Sequence, residues 1–135
     1  MIKVGVIGYG YWGPNLVRNF MEAHGSTVVA VCDQRSERLV QLQTRFPTIK
    51  TMNNCAALFQ DSEIDAIVIA TPVSSHFELA MAALKADKHV FVEKPLAGNS
   101  EHASQLIEEA KRRRKVLMVD HTFVYTGAVQ KMLQP

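Results

Sequence analysis

The sequence predicts a doubly wound α/β fold with a mostly parallel sheet, built as a single domain. Three observations carry this reading. Short apolar runs rich in Val and Ile recur along the 135 residues, segments with helical spacing separate them, and no linker, repeat or low-complexity stretch interrupts the alternation. Near-continuous apolar runs suit parallel strands covered on both faces. Strand–helix alternation repeated five times is what such a sheet requires.

The elements follow in order. The first strand is IKVGVI, Ile2–Ile7, and the helix after it shows an apolar stripe of Leu16, Val17, Phe20 and Met21. A second strand is TVVAVC, Thr27–Cys32, and a short third is TIKT, Thr48–Thr51. The fourth, DAIVIA at Asp65–Ala70, leads to a helix with Leu79, Ala80, Ala83 and Leu84 on one face. The fifth, KHVFVE at Lys88–Glu93, leads to a helix carrying Ala103, Leu106, Ile107 and Ala110, and the sixth is KVLMVD, Lys115–Asp120. Ser74 or Ser75 and Asn99 or Ser100 are the candidate N-caps of the last two helices, because a side-chain oxygen there can accept an otherwise unpaired amide.

Composition narrows the function classes. A hydrophobic fraction of 47% and a charged fraction of 21% are those of an ordinary globular chain, and a formal charge of +2 is too small to point to nucleic acid or a membrane surface as partner. The one basic run, Lys111–Lys115, follows a helix, where cations favour the dipole and stay solvated; an anionic partner is the alternative. Cys32 and Cys55 have neither CxxC nor metal-ligand spacing, so two reduced thiols and no metal are expected. The chain enters its first strand without a leader-like segment, and its apolar runs are too short to span a bilayer. The expectation is a cytoplasmic protein.

The first strand ends in IGYGYWGPN, with Gly8, Gly10 and Gly13 in G-x-G-x-x-G spacing. The spacing alone is weak. Here it follows a strand and opens a helix within a βαβ unit, the context in which it binds a dinucleotide. Gly8 makes the tight turn, Gly10 admits the pyrophosphate to the backbone, and Gly13 allows close packing of helix and strand. Pro14 fits the first helical turn, where an amide is not needed, so the phosphate donors must come from around Gly10, Tyr11, Trp12 and Gly13. The second strand ends in Asp33, an acid able to accept the ribose hydroxyls and to repel a 2′-phosphate. NAD is therefore the expected cofactor. Arg35 keeps NADP open, since a guanidinium can pair with a 2′-phosphate, and a plain turn acid is the other reading of Asp33.

HVFVEKPLAGNS, His89–Ser100, places an acid, a lysine and a proline at the mouth of a core strand. Pro95 can end a strand, but it does not account for Glu93 and Lys94. In open α/β sheets ligands bind beyond the carboxyl ends of the strands. ATPVSSH, Ala70–His76, and VEKP, Val92–Pro95, therefore point at the same edge, and Glu93 and Lys94 are expected to face the nicotinamide end of a bound dinucleotide.

GYGYWG, the strand ending in Asp33, ATPVSSH and EKPLA, in that order, resemble the N-terminal domain of the Gfo/Idh/MocA oxidoreductases. These are relatives of glucose–fructose oxidoreductase and inositol dehydrogenase that oxidise or reduce sugars and polyols. EKP is the most specific tag, and the resemblance covers essentially the whole chain. GYGYWGPN and HTFVY resemble members acting on sugar nucleotides.

The resemblance implies a dinucleotide-binding Rossmann domain over 1–122 and, over 123–135, the start of a connection to a C-terminal substrate domain. It places Gly8, Gly10, Tyr11, Trp12 and Gly13 at the pyrophosphate and Asp33 at the ribose. Thr71, Pro72 and His76 line the cofactor, Glu93 lies near the nicotinamide ribose, and Lys94 stands by the reacting hydroxyl with His121 in the substrate pocket. A capping or packed histidine is the other reading of His76. The Lys94–Pro95 bond is implied to be cis, turning the lysine out of the strand direction toward the substrate.

A cation beside the hydroxyl oxygen would stabilise the developing alkoxide, and partial burial would suit Lys94 to proton shuttling. Family members carry a second domain that completes substrate binding and proton transfer. The chain is therefore expected to be the cofactor half of a longer dehydrogenase, homo-oligomeric when whole and inactive as a fragment. Apolar residues normally covered by that domain, Phe123, Val124, Tyr125, Val129 and Leu133, would then favour self-association. A standalone nucleotide-binding or redox-sensing module without catalysis is the alternative.

Overall fold

The structure, a computed structural model, describes residues 1–10 and 12–119. The strands are β1 (Ile2–Ile7), β2 (Ser26–Cys32), β3 (Lys50–Met52), β4 (Ala66–Ile69), β5 (His89–Val92) and β6 (Leu117–Val119). The helices are α1 (Gly13–Glu22), α2 (Ser36–Arg45), α3 (Ala56–Gln60), α4 (His76–Lys85) and α5 (Ser100–Arg113), with a 3-10 turn at Val73–Ser75. The sheet runs β3-β2-β1-β4-β5-β6, and every neighbouring pair is parallel. This is the Rossmann order, doubly wound from a centre between β1 and β4.

Alternation along the strands builds two cores. Val4 and Val6 of β1 join Leu16, Val17 and Phe20 of α1 and Leu39 and Leu42 of α2 on one face. Ile7, with Ile67 and Ile69 of β4, joins Leu58 of α3, Ala80, Ala83 and Leu84 of α4 and Leu106 of α5 on the other. Phe20 meets Phe91 edge-on at 5.3 Å between ring centroids, tying α1 to β5 across the centre.

Several local features depart from the pattern read in the sequence. β3 begins at Lys50, not Thr48, because Ile49 is still part of the turn out of α2: its amide donates to the Phe46 carbonyl and its side chain is buried. Ser75 stands at the N-cap position of α4 but does not cap it, since its hydroxyl donates to the Pro72 carbonyl. Asn99 does cap α5, accepting the His102 amide at 2.8 Å. β1 and β2 slip by one residue between Val4 and Gly5, and the Val28 amide next to the slip donates to the Met21 sulfur. Met21 therefore ends the α1 stripe as a half-buried partner of the sheet edge.

Two polar side chains, the buried Lys88 and the half-buried His89, hold loops. Lys88 Nζ donates to the carbonyls of Asp61 and Ile64, at 2.6 and 2.7 Å, which pins the loop between α3 and β4. His89 Nδ1 accepts the Val116 amide at 3.0 Å and joins β5 to the start of β6. Among the described residues, no helix is long and apolar enough to cross a membrane. Phe123, Val124, Tyr125, Val129 and Leu133 lie outside the described residues, as does the connection expected over 123–135.

His89 yields a prediction with a definite sign. Burial lowers its pKa, Lys115 lowers it further, and Asp65 opposes both. Below the unfolded value of about 6.5, the unfolded chain binds a proton that the native ring refuses. Stability should therefore fall as pH drops through about 6.5 and continue to fall down to the native pKa. His89→Asn keeps an acceptor for the Val116 amide without a titrating ring. Urea unfolding between pH 7.5 and 5.5 should show a smaller loss in the variant, and parallel losses would remove His89 from the pH dependence.

Candidate cofactor-binding site

The parallel ladder continues one residue beyond several strands, and those residues form the working edge. The Gly8 amide donates to the Cys32 carbonyl, Asp33 to Met52, Ala70 to Ile7 and Glu93 to Ile69. Gly8, Asp33, Ala70 and Glu93 are thus set in fixed register at the carboxyl ends of β1, β2, β4 and β5.

Between these ends lies a cavity of about 680 Å³, within the range of small-molecule sites. Its lining brings together Gly8, Gly10, Trp12, Asp33, Arg35, Thr71 and Pro72. Two glycines are required by the backbone. Gly8 has φ +99, and a Cβ there would stand 2.8 Å from the Ala70 carbonyl oxygen. A Cβ on Gly13 would stand only 2.3 Å from the Gly8 carbonyl oxygen, so α1 can begin this close to β1 only with a bare backbone. Gly13 is buried behind the turn and does not line the cavity.

Asp33 is 7% exposed and already engaged by the protein. Its Oδ2 accepts the Tyr9 amide at 2.7 Å and its Oδ1 the Arg35 amide at 2.8 Å. Arg38 Nη1 approaches Oδ2 at 3.4 Å, and the same nitrogen lies 2.9 Å from where a Gly10 Cβ would be. Arg38 thus bridges the acid and the glycine turn. It was not singled out from the sequence, because α2 is polar and its apolar stripe within the helix is only Leu39 and Leu42. Arg35, which was, is exposed at the rim.

The loop after β4 is knit by hydroxyls. Ser75 spends its proton on the Pro72 carbonyl, so the 2.6 Å contact with Thr71 has the Thr71 hydroxyl as donor. His76 is 1% exposed and stands outside the cavity lining. Its Nε2 meets the Thr71 carbonyl and its Nδ1 the Pro95 carbonyl, each at 2.7 Å. A neutral ring can donate to one of these acceptors and an imidazolium to both. The ring therefore clamps the loop after β4 to the turn after β5, the packed alternative.

Glu93 and Lys94 follow β5 on that clamped turn, and neither lines the cavity. The Lys94–Pro95 bond is cis. Lys94 is exposed, so the partial burial expected of it is not met: it stands past the end of β5, where the described chain leaves it open to solvent. Tyr11 and His121 lie outside the described residues.

With this geometry, the comparisons with known proteins are consistent. The family described as "Oxidoreductase family, NAD-binding Rossmann fold" matches residues 2–121. The chain belongs to the Gfo/Idh/MocA oxidoreductase family. A myo-inositol 2-dehydrogenase of Thermotoga maritima is 32% identical over 116 residues, which is 86% of this chain and 35% of that protein. An α-N-acetylgalactosaminidase of Shewanella oneidensis is 31% identical, over 88% of this chain and 28% of that protein. A solved Agrobacterium radiobacter oxidoreductase in complex with NAD+, L-tartaric acid and magnesium superposes with a TM-score of 0.85. It is 28% identical, and the match covers 91% of this chain and 36% of that one. This Gfo/Idh/MocA chain spans about a third of the length of the dehydrogenase it matches.

The contact behind the turn can be tested. In Gly13→Ala the added methyl meets backbone, not a movable side chain, so α1 must shift away from β1. The variant should lose about 1–3 kcal/mol in urea unfolding and bind dinucleotide at least tenfold more weakly by calorimetry. Unchanged affinity would show that the close approach of α1 is not needed at the site.

Proposed function

We propose that the chain is the cofactor-binding part of an NAD-dependent dehydrogenase, one that moves a hydride between nicotinamide and a hydroxyl-bearing carbon of a sugar, polyol or sugar nucleotide. The observation that carries this is a buried carboxylate, Asp33, in the same cavity as the bare glycine turn. Residues 1–122 form the dinucleotide domain, and the longer protein supplies a second, substrate-binding part and assembles as a homo-oligomer. The third-length match to the relatives supports that division. Alone, the chain binds cofactor and turns over little.

The residues present fit the cofactor. Gly8 and Gly13 keep the turn clear of side-chain atoms, and the N-terminus of the ten-residue α1 faces an anion favourably. The Asp33 carboxylate has about four lone-pair sites, of which two backbone amides use one each and Arg38 Nη1, at 3.4 Å, a third. The remaining site, and the one Arg38 holds at long range, can accept the adenosine ribose hydroxyls. A 2′-phosphate would meet the acid's charge, partly offset by Arg38 and by Arg35 at the rim, so NAD is favoured and NADP is the alternative.

The bound nicotinamide supplies the hydride acceptor or donor. Lys94 stands by the reacting hydroxyl, where its neutral amine would take the hydroxyl proton in oxidation and its ammonium would stabilise the alkoxide and return the proton in reduction. His76 sets that position by clamping the Pro95 carbonyl to the β4 loop. Thr71 and Pro72 shape the cofactor side of the gap, Glu93 lies toward the nicotinamide ribose, and His121 contacts substrate. The relative named an α-N-acetylgalactosaminidase supports a second reading, glycoside cleavage on the same nucleotide domain. Product analysis separates the two: NADH accumulating with an oxidised sugar marks the dehydrogenase, and release of a free sugar without net NADH marks the hydrolase.

Two measurements bear on the residues. Calorimetry should show tighter binding of NADH than of NADPH, and Asp33→Ala should narrow the gap. The same variant releases the Tyr9 amide, so affinity for both nucleotides should drop, by about tenfold or more for NADH. A wild-type preference for NADPH would overturn the role of Asp33. In the longer protein, Lys94→Ala should lower kcat by about 10²-fold or more with NADH affinity within about twofold. Unchanged turnover would take Lys94 out of the chemistry.

A further inference from the structure

The cofactor chemistry uses neither of the chain's two cysteines. Cys32 and Cys55 are separated by 23 positions in sequence, yet their sulfurs lie 3.1 Å apart. Cys32 is the last residue of β2 and 1% exposed, while Cys55 is half-buried at the position before α3. Both are free thiols, and both line the cavity that Asp33 and Gly8 line. A disulfide needs about 2.05 Å between sulfurs, so the pair has about 1 Å to close.

The two sulfurs are not equivalent. The hydrogen bond from Cys32 draws the Cys55 thiol down to about 7, against burial and the charge of Asp33, both of which oppose it. The same hydrogen bond, with burial, pushes the Cys32 thiol up. Cys55, half-buried where Cys32 is 1% exposed, is the more accessible sulfur and the nucleophile, and Cys32 is the resolving thiol.

We propose that Cys32 and Cys55 form a reversible dithiol–disulfide site in the wall of the cofactor cleft, oxidised by small organic disulfides and shielded by the adenosine half of a bound dinucleotide. The Cys55 thiolate attacks one sulfur of the reagent disulfide and expels one thiolate, leaving a mixed disulfide on Cys55. Cys32 then gives up its proton and attacks the Cys55 sulfur, expelling the second reagent thiolate. The balance is two protein thiols and one reagent disulfide in, one protein disulfide and two reagent thiols out, with two electrons passing to the reagent. The new bond joins the end of β2, directly before Asp33, to the start of α3. Shielding rests on the proposed cofactor reading; the oxidation itself does not.

The test treats the reduced chain with oxidised glutathione, blocks residual thiols with iodoacetamide, and maps peptides by mass spectrometry without reduction. The expected product is one Cys32–Cys55 cross-link, two hydrogens lighter and reversed by dithiothreitol. Cys32→Ser should stop at a glutathione adduct on Cys55, and Cys55→Ser should give neither product. A stable adduct on wild-type Cys55 without the cross-link, or no reaction of the folded chain, would overturn the dithiol site, and no nucleotide is present in that arm. With NAD at concentrations where calorimetry shows it bound, the rate should fall at least tenfold. Undiminished oxidation there overturns the shielding, whereas absence of calorimetric binding overturns the cofactor reading and the shielding with it.

Discussion

The cleft depends on how closely α1 can approach the end of β1. The Gly13 Cα packs against the Gly8 carbonyl at a distance no side chain tolerates. That contact starts the helix directly behind the turn that lines the cavity, and the unpaired amide donors of a helix N-terminus favour an anion there. Moving α1 outward by the width of a methyl group would leave the strands in place and still withdraw the donors. The sheet makes the cleft available, and the glycine contact makes it a site.

The sheet's own contribution is register. Because the ladder is parallel and runs one residue past several strand ends, Gly8, Asp33, Ala70 and Glu93 arrive at one edge without any side chain steering them there. Side chains then lock the loops that follow. Asp33 ties the glycine turn to the end of β2 through the Tyr9 amide, and His76 ties the β4 loop to the cis-proline turn. Both ties run between segments far apart in sequence, so each fixes a distance across the cleft that neither loop could hold alone.

Much of this was legible in the sequence. Val- and Ile-rich runs marked most of the six strands, because a strand buried on both faces has no room for polar residues. The glycine spacing, Asp33 and EKP stood at strand carboxyl ends, the side of an open α/β sheet on which ligands bind. What was not legible followed from long-range contact. Arg38 reaches the acid from a mainly polar helix, and nothing in its local pattern separates it from a solvated surface arginine. Cys32 and Cys55 meet only because β2 and the turn before α3 end at the same edge. Ser74 or Ser75 reads as a cap because serine before a helix ordinarily is one; Ser75 takes the position, but a carbonyl three residues earlier is the better acceptor for its proton. Thr48 and Ile49 show the same limit, since β-branched residues in a turn read like the first residues of a strand.

The engagement of Asp33 bears on how cofactor preference arises at this edge. Its carboxylate oxygens already carry two backbone amides, and those bonds need the charge whether or not a ribose is present. The acid is therefore a structural tether first, and the repulsion of a 2′-phosphate proposed for it would be a consequence of a charge the fold already requires. The exposed Arg35 side chain carries no such duty in the described contacts, whereas Arg38 pairs with the acid itself. Exchange at Arg35 would leave the tether in place, whereas exchange at Asp33 or Arg38 would also disturb the contacts that hold the glycine turn.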